Sequence, residues 1–257
     1  MTEHPRTRPS AGVIIIGDEV LSGKVREQNI AFFTKRFRQL GVSLCRIAII
    51  TDELTDIADT VAEFARRFDI VCTSGGIGPT HDDRTLLGVA QASGRPLEAN
   101  SKLLDLIERH LSQRGRAMSE GYRRMAQAPV GCELVGDTQW PTVKVDNVFI
   151  FPGVPRLLVK KFATLEARYF RGAALWSGEV EARAMESEVV VALDGVVARH
   201  PSVSIGSYPQ MHDDGSWTLR ITAEGLNRED VALALEHLDE AFEGKVLRKT
   251  GPQSSEG

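Results

Sequence analysis

The sequence is poor in cysteine, has no long apolar run and carries little excess charge. Its three cysteines, Cys45, Cys72 and Cys132, are odd in number and far apart. That argues against a disulfide framework or a zinc site and for small core residues in a reducing compartment. Cys45 and Cys72 both fall in strand-like runs. The longest apolar runs are strand-sized, so no membrane span is expected. A net charge of −4 gives no field to attract nucleic acid. The opening MTEHPRTRPSAG lacks the apolar stretch of a signal peptide, which points to the cytoplasm. Residues 1–10 read as a disordered leader and 249–257 as a disordered tail. Familiar catalytic signatures are missing too. There is no G-x-x-x-x-G-K-[ST], no G-x-G-x-x-G after the first strand, no C-x-x-C, no H-E-x-x-H and no G-x-S-x-G.

What is present is an alternation. The run GVIIIG (Gly12 to Gly17) is a buried strand, and Ile30, Phe33, Phe37 and Leu40 follow at helical spacing. SLCRIAII and DIVCTS are further strands, separated by a helix carrying Ile57, Val61 and Phe64. A short helix from about Asp83 and one through Leu103, Ile107 and Leu111 come next. VDNVFIFPG reads as one strand, and Val154 to Phe170 as one helix. Strands alternating with helices predict an α/β fold, three layers with a mostly parallel sheet and helices on both faces. It covers residues 11–171. From 176 to 248 the rhythm changes to a βαββα run, a smaller α+β domain.

In such sheets, ligands bind outside the carboxyl ends of the strands. The first strand runs into Gly17, Asp18, Glu19, Ser22 and Gly23, and the second into Thr51, Asp52 and Glu53. The third runs into SGGIGPTHDD, and a late strand into Pro152 and Gly153. One rim would then hold glycine-lined backbone N–H groups and up to six carboxylates. Each piece alone also reads as an ordinary turn or helix start: acids suit a helix N-terminus. Together, an anion cradle with acids suits a hard divalent cation such as Mg²⁺, which completes its shell with water and phosphate.

The combination GDEVLSGKVREQN, TDE, SGGIGPTHDDRT and FPGVPRLL resembles the molybdopterin-binding (MoaB/MogA-like) domain family. It is most similar to the branch at the front of CinA, the competence/damage-inducible protein, and of eukaryotic FAD synthase. The following small domain resembles, more weakly, the KH-like segment of CinA-type chains. The resemblance implies that Asp52, Asp82 and Asp83 are catalytic and hold the metal. It implies a ligand cradle of Gly17, Asp18, Glu19, Ser22, Gly23, Asn29, Ser74, Gly75, Gly76, Gly78, Pro79, Thr80, Thr85, Pro152 and Gly153. The ligand would be a nucleotide or a pterin, with molybdopterin itself one candidate, and the assembly a homo-oligomer. Departures from the family pattern are Ile77 and Leu86, where a threonine and a proline are expected, and Leu157, where a glutamate stood. The amidase and adenylyl-transferring domains that extend CinA and FAD synthase are not expected in the residues left.

Three functions compete. One is metal-dependent hydrolysis of a nucleotide pyrophosphate of the ADP-ribose or FAD class. Another is molybdopterin binding or adenylyl transfer in molybdenum cofactor synthesis. The third is nucleotide binding without catalysis. RNA binding through the small domain is disfavoured, because it lacks a G-x-x-G loop and its helices are acidic. If Asp82 and Asp83 are free site charges, Asp83→Asn should leave the unliganded fold as stable as before or steadier.

Overall fold

The computed structural model describes residues 8–255. They fall into two compact units, one of residues 8–38 and 42–172, the other of 39–41 and 173–255.

The larger unit begins with β1 (Ser10–Ile16), α1 (Asp18–Leu21), α2 (Asn29–Gln39), β2 (Ser43–Ile50), α3 (Leu54–Arg67) and β3 (Ile70–Ser74). Then come α4 (Thr85–Ala92), β4 (Leu97–Ala99), α5 (Ser101–Ser112), α6 (Glu120–Met125), β5 (Gln127–Pro129) and β6 (Glu133–Val135). It closes with β7 (Thr142–Val145), β8 (Val148–Phe151), α7 (Pro155–Ala163) and α8 (Glu166–Tyr169). The main sheet has the order β2-β1-β3-β8-β7-β6. The pairs β1–β2, β1–β3 and β3–β8 are parallel, while the pairs β8–β7 and β7–β6 are antiparallel, so β7 alone runs against the others. This is the expected mostly parallel sheet flanked by helices.

Both faces of β1 are buried, so its residues alternate between two cores. Ile14 and Ile16 pack with Ile57, Val61 and Phe64 of α3. A second core is aromatic: Phe33, Phe37, Phe151, Phe162 and Phe170 are all fully buried. The rings of Phe162 and Phe170 stack at 4.7 Å, and Phe33 meets Phe162 edge-on at 5.8 Å. Truncating any of these rings to alanine would cost about 3–5 kcal/mol.

Several local expectations change. VDNVFIFPG is a hairpin, not one strand: it reverses at Asp146-Asn147, where Asp146 has φ 51°. Asx residues tolerate that conformation, and Asp146 is tied to Arg95 at 2.6 Å. The helix expected over Val154 to Phe170 is two, α7 and α8, broken at Thr164-Leu165. Cys45 is exposed and Cys132 partly exposed, so Cys72 is the one fully buried cysteine. Cys45 sits on β2, an edge strand exposed at Cys45, Arg46 and Ile49. The expected leader is outside the described residues up to 7. Residues 8–10 are placed: Ser10 opens β1, and the Pro9 carbonyl accepts the Ser43 N–H at 2.9 Å.

The smaller unit contains β9 (Trp176–Ala182), α9 (Glu186–Arg199), β10 (Ser204–Met211), β11 (Trp217–Gly225), α10 (Arg228–Ala241) and β12 (Val246–Ser254). Its sheet is antiparallel, in the order β10-β11-β9-β12. Val180, Leu219, Ile221, Val231, Leu235 and Leu238 form its core. The pattern is βαββαβ, one strand more than expected. Residues 249–254, read as a disordered tail, belong to β12, where Thr250 pairs with Glu179. The strand escapes notice because VLRKTGPQS has no apolar alternation; it is an edge strand held through its backbone. Among the described residues no helix is long and apolar enough to cross a membrane.

Candidate functional site

The register places four loops on one rim. Ile16 pairs with Ile50, Ile15 with Ser74, and Ser74 with Phe151. The next residues are therefore Gly17, Thr51-Asp52, Gly75 and Pro152, side by side at the carboxyl ends. The chain leaves β1 for β2 on one side and returns to β3 on the other. This reversal of strand order is where open α/β sheets bind ligands.

The glycine loop is built from within. Gly75 has φ 112°, and a Cβ there would lie 2.1 Å from the Ile16 carbonyl oxygen. Gly76 has φ 62°, and its Cβ would lie 2.4 Å from the Thr85 hydroxyl. These glycines thus let β1 and the loop approach each other, a structural need beyond any ligand. Thr85 is buried, its hydroxyl donating to the Gly75 carbonyl at 2.8 Å. It pins the loop; the ligand contact expected of it is not what its surroundings offer.

Asp83 also changes role. Its Oδ1 accepts the Gly78 N–H at 2.6 Å; its Oδ2 accepts the Thr80 N–H at 2.8 Å and the Thr80 hydroxyl at 2.5 Å. Both oxygens close the loop on itself. The N–H groups of Gly76 and Ile77, in contrast, have no hydrogen-bond partner among the described residues.

Asn29 joins two of the loops. Its Nδ2 donates to the Ser74 hydroxyl at 3.0 Å and to the Gly153 carbonyl at 2.7 Å. The Gly153 carbonyl can only accept, so the amide orientation is fixed. Asn29 Oδ1 is buried with no partner among the described residues. A buried acceptor in that state costs about 1–3 kcal/mol unless something pairs with it. Ser74 and Pro152 are buried, and Ser74 also donates to the Pro152 carbonyl at 3.4 Å. Pro79, Thr80, Ser22 and Gly23 are exposed on the surrounding loops.

The acids gather around Asp52. Its Oδ2 accepts the Asp18 N–H at 2.9 Å. Burial, first, and the nearby Asp18, Glu19 and Asp82 carboxylates raise its carboxyl above the usual range, against the hydrogen bond from Asp18. Glu53 is answered by Arg84 at 3.5 Å. Asp82 and His81 are exposed at the loop tip.

The cation implied by the resemblance must be tested against these donors. Among the described residues no three of His, Cys, Asp and Glu stand together as a metal site. The set Asp52, Asp82 and Asp83 is therefore not a preformed cage, and both Asp83 oxygens are already engaged by Gly78 and Thr80. The crowded charge around Asp52 fits a different arrangement, a Mg²⁺ on one or two carboxylates that shares the ligand's phosphates.

One residue had no sequence signal. Lys161, in the run VKKF, reads as a surface lysine. Its ammonium donates to the Trp140 and Pro141 carbonyls, both at 2.8 Å. It lines a small cavity of about 70 Å³ with Ile77 of the glycine loop, Leu86 and Met125. Burial lowers this amine from 10.5 to about 8. Between those values the unfolded chain holds a proton that the folded chain has released, so stability rises with pH across that window. The drop is equivalent to about 3 kcal/mol, reduced to about 2 because solvent reaches part of the side chain. Between pH 7 and 10.5 the unfolding free energy of the parent should therefore gain about 2 kcal/mol on that of Lys161→Met. Chemical denaturation at the two pH values measures it, and a constant difference would refute it.

Comparison with known proteins agrees with this geometry. Residues 12–171 match the family described as "Probable molybdopterin binding domain", and 174–250 match "FAD synthase, middle domain". A "Probable FAD synthase" of Caenorhabditis briggsae is 29% identical over 95% of this chain and 51% of its own length. A "CinA-like protein" of Myxococcus xanthus is 31% identical over 87% of this chain and 56% of its own. The chain thus spans about half the length of these curated relatives. The crystal structure of CinA from Thermoplasma acidophilum, a protein of unknown function, superposes with a TM-score of 0.56 at 26% identity. It covers 63% of this chain and 99% of that one. With the four-loop rim, the parallel sheet and a family match over residues 12–171, the chain belongs to the molybdopterin-binding-domain family, beside CinA-like and FAD-synthase relatives.

Proposed function

We propose that the rim binds the diphosphate of a nucleotide and hydrolyses it, as a metal-dependent nucleotide pyrophosphatase of the ADP-ribose or FAD class. The observation that carries this reading is the pair of unpartnered N–H groups at Gly76 and Ile77, in a loop that Asp83 and Thr85 hold in shape. Backbone donors fixed in place before the ligand arrives stabilise charge that develops on phosphoryl oxygens. Asn29 Oδ1 supplies an acceptor for a donor on the ligand, such as a sugar hydroxyl or a bound water. Asp52, next to Asp18, Glu19 and Asp82, supplies the negative charge that draws a cation to the diphosphate. When bound, a divalent cation would neutralise the phosphates and lower the pKa of water. A homo-oligomer remains part of this proposal.

A second reading, pterin binding or adenylyl transfer, has the family match over residues 12–171 in its favour. One experiment separates the two. Protein and Mg²⁺ are incubated with ADP-ribose, FAD and NAD, and in parallel with molybdopterin and ATP, and the products are resolved. AMP from the dinucleotides supports hydrolysis. Adenylated pterin would replace that reading with the second. Tight binding without any product would leave a nucleotide-binding protein.

A further inference from the structure

A larger cavity, of about 660 Å³, lies in the same unit but is lined by none of the rim residues. Its walls are the first turn of α5, the edge strand β6, and the end of α7 with α8. Pockets of this size take organic ligands rather than single ions.

The lining is cationic. Lys102 and Arg168 both line it with exposed side chains, and neither side chain makes a hydrogen bond or ion pair among the described residues, although the Arg168 charge is felt by Glu133. Arg168 lies over the Tyr169 ring at 5.2 Å, and that ring packs edge-on against buried Phe149 at 5.2 Å. The ring gives the exposed guanidinium a cation–π contact on the cavity wall. One carboxylate, Glu133, also lines the cavity, and it is already bonded to Lys144. The backbone adds to the same sign. Asn100 accepts the Leu103 N–H with its side chain at 3.2 Å and the Leu104 N–H with its carbonyl at 2.9 Å. That leaves the Ser101 and Lys102 N–H groups, both at the cavity, without a partner among the described residues. Two unpaired cations and two unpaired amides around one cavity are a donor set for a dianion.

We infer that this cavity is a second ligand site, for a phosphate monoester of roughly mononucleotide size. The phosphate takes the Arg168 guanidinium, the Lys102 ammonium and the two amides, and the organic part fills the space along Leu134 and Tyr169. The site is independent of what the rim does.

AMP is the probe, titrated calorimetrically into the full chain. The double variant Lys102→Gln with Arg168→Gln should bind it at least about tenfold more weakly, since both charge-assisted contacts are lost. Ser101→Pro tests the amide alone. Proline suits the first position of a helix and removes only the N–H, so melting should be unchanged while AMP binding weakens severalfold. Asn100 is already extended, as a residue before proline must be. Unchanged AMP affinity in the double variant overturns the assignment, because it would place AMP elsewhere. No detectable AMP binding to the parent overturns it as well. So does inorganic phosphate binding as tightly as AMP, which would mark a charged surface rather than a built cavity.

Discussion

Asp83→Asn should melt about 4–8 °C below the parent, whereas Asp52→Asn should melt at the same temperature or higher. Under the proposed hydrolysis, both should lose about 10²–10³ in turnover of ADP-ribose or FAD. The split follows from what each carboxylate touches. Asp83 accepts three hydrogen bonds from Gly78 and Thr80, two of them from backbone amides. An asparagine turns one of those oxygens into an NH₂ facing a donor, at a cost of about 2 kcal/mol. Asp52 accepts one bond, from the Asp18 amide, which an asparagine oxygen still accepts. What Asp52 loses is a charge crowded by Asp18, Glu19 and Asp82, and losing it relieves repulsion. Thermal melts without metal or nucleotide, beside product assays, measure both sides. If Asp83→Asn melts with the parent, the carboxylate is a free site charge, as the sequence alone suggests, and the loop-closing role is wrong.

Gly75→Ala should cost the larger unit about 4 kcal/mol, the sum of a backbone clash and an unfavourable φ. The added methyl would sit 2.1 Å from the Ile16 carbonyl oxygen, on a backbone at φ 112°. The loop cannot retreat without breaking the Gly75 N–H bond to the Phe151 carbonyl, 3.2 Å long, nor β1 without disturbing its pairing with β3. Gly115→Ala is the matched control. Its φ is 63°, but nothing lies within 4 Å of the added carbon. Only the conformational term of about 1 kcal/mol should appear there. Chemical denaturation of the two variants gives the comparison. Equal losses would mean that the contact with Ile16 relaxes freely, and that the glycine serves the ligand alone.

Some of this protein is decided by short stretches of sequence. Short β-branched runs such as GVIIIG and DIVCTS, bounded by glycine or polar residues, read as buried strands, and the helices between them show their faces at 3.6-residue spacing. Once the sheet is read as parallel, Gly17, Asp52, Gly75 and Pro152 must share a rim, because parallel strands end together. Family membership followed from the same four loops, since each motif sits beside a strand end.

The rest depends on partners distant in the chain. Thr85 reads as a ligand contact and Asp83 as a catalytic, metal-holding acid, and the fold turns both onto the loop's own backbone at Gly75, Gly78 and Thr80. Asn29 gains its meaning from Gly153, 124 residues away. β12 has no apolar period and is a strand because β9 offers it an edge. Lys161 looks like any surface lysine; only the packing of distant segments around it removes it from water and lowers its pKa, while the carbonyls of Trp140 and Pro141 accept its hydrogen bonds. Hydrophobic periodicity is a local property, written residue by residue. Hydrogen-bond partners, desolvation and the summed field of neighbouring charges arise only when separated segments meet, and here they set Asp83 on the loop's own backbone and Asp52 among other carboxylates.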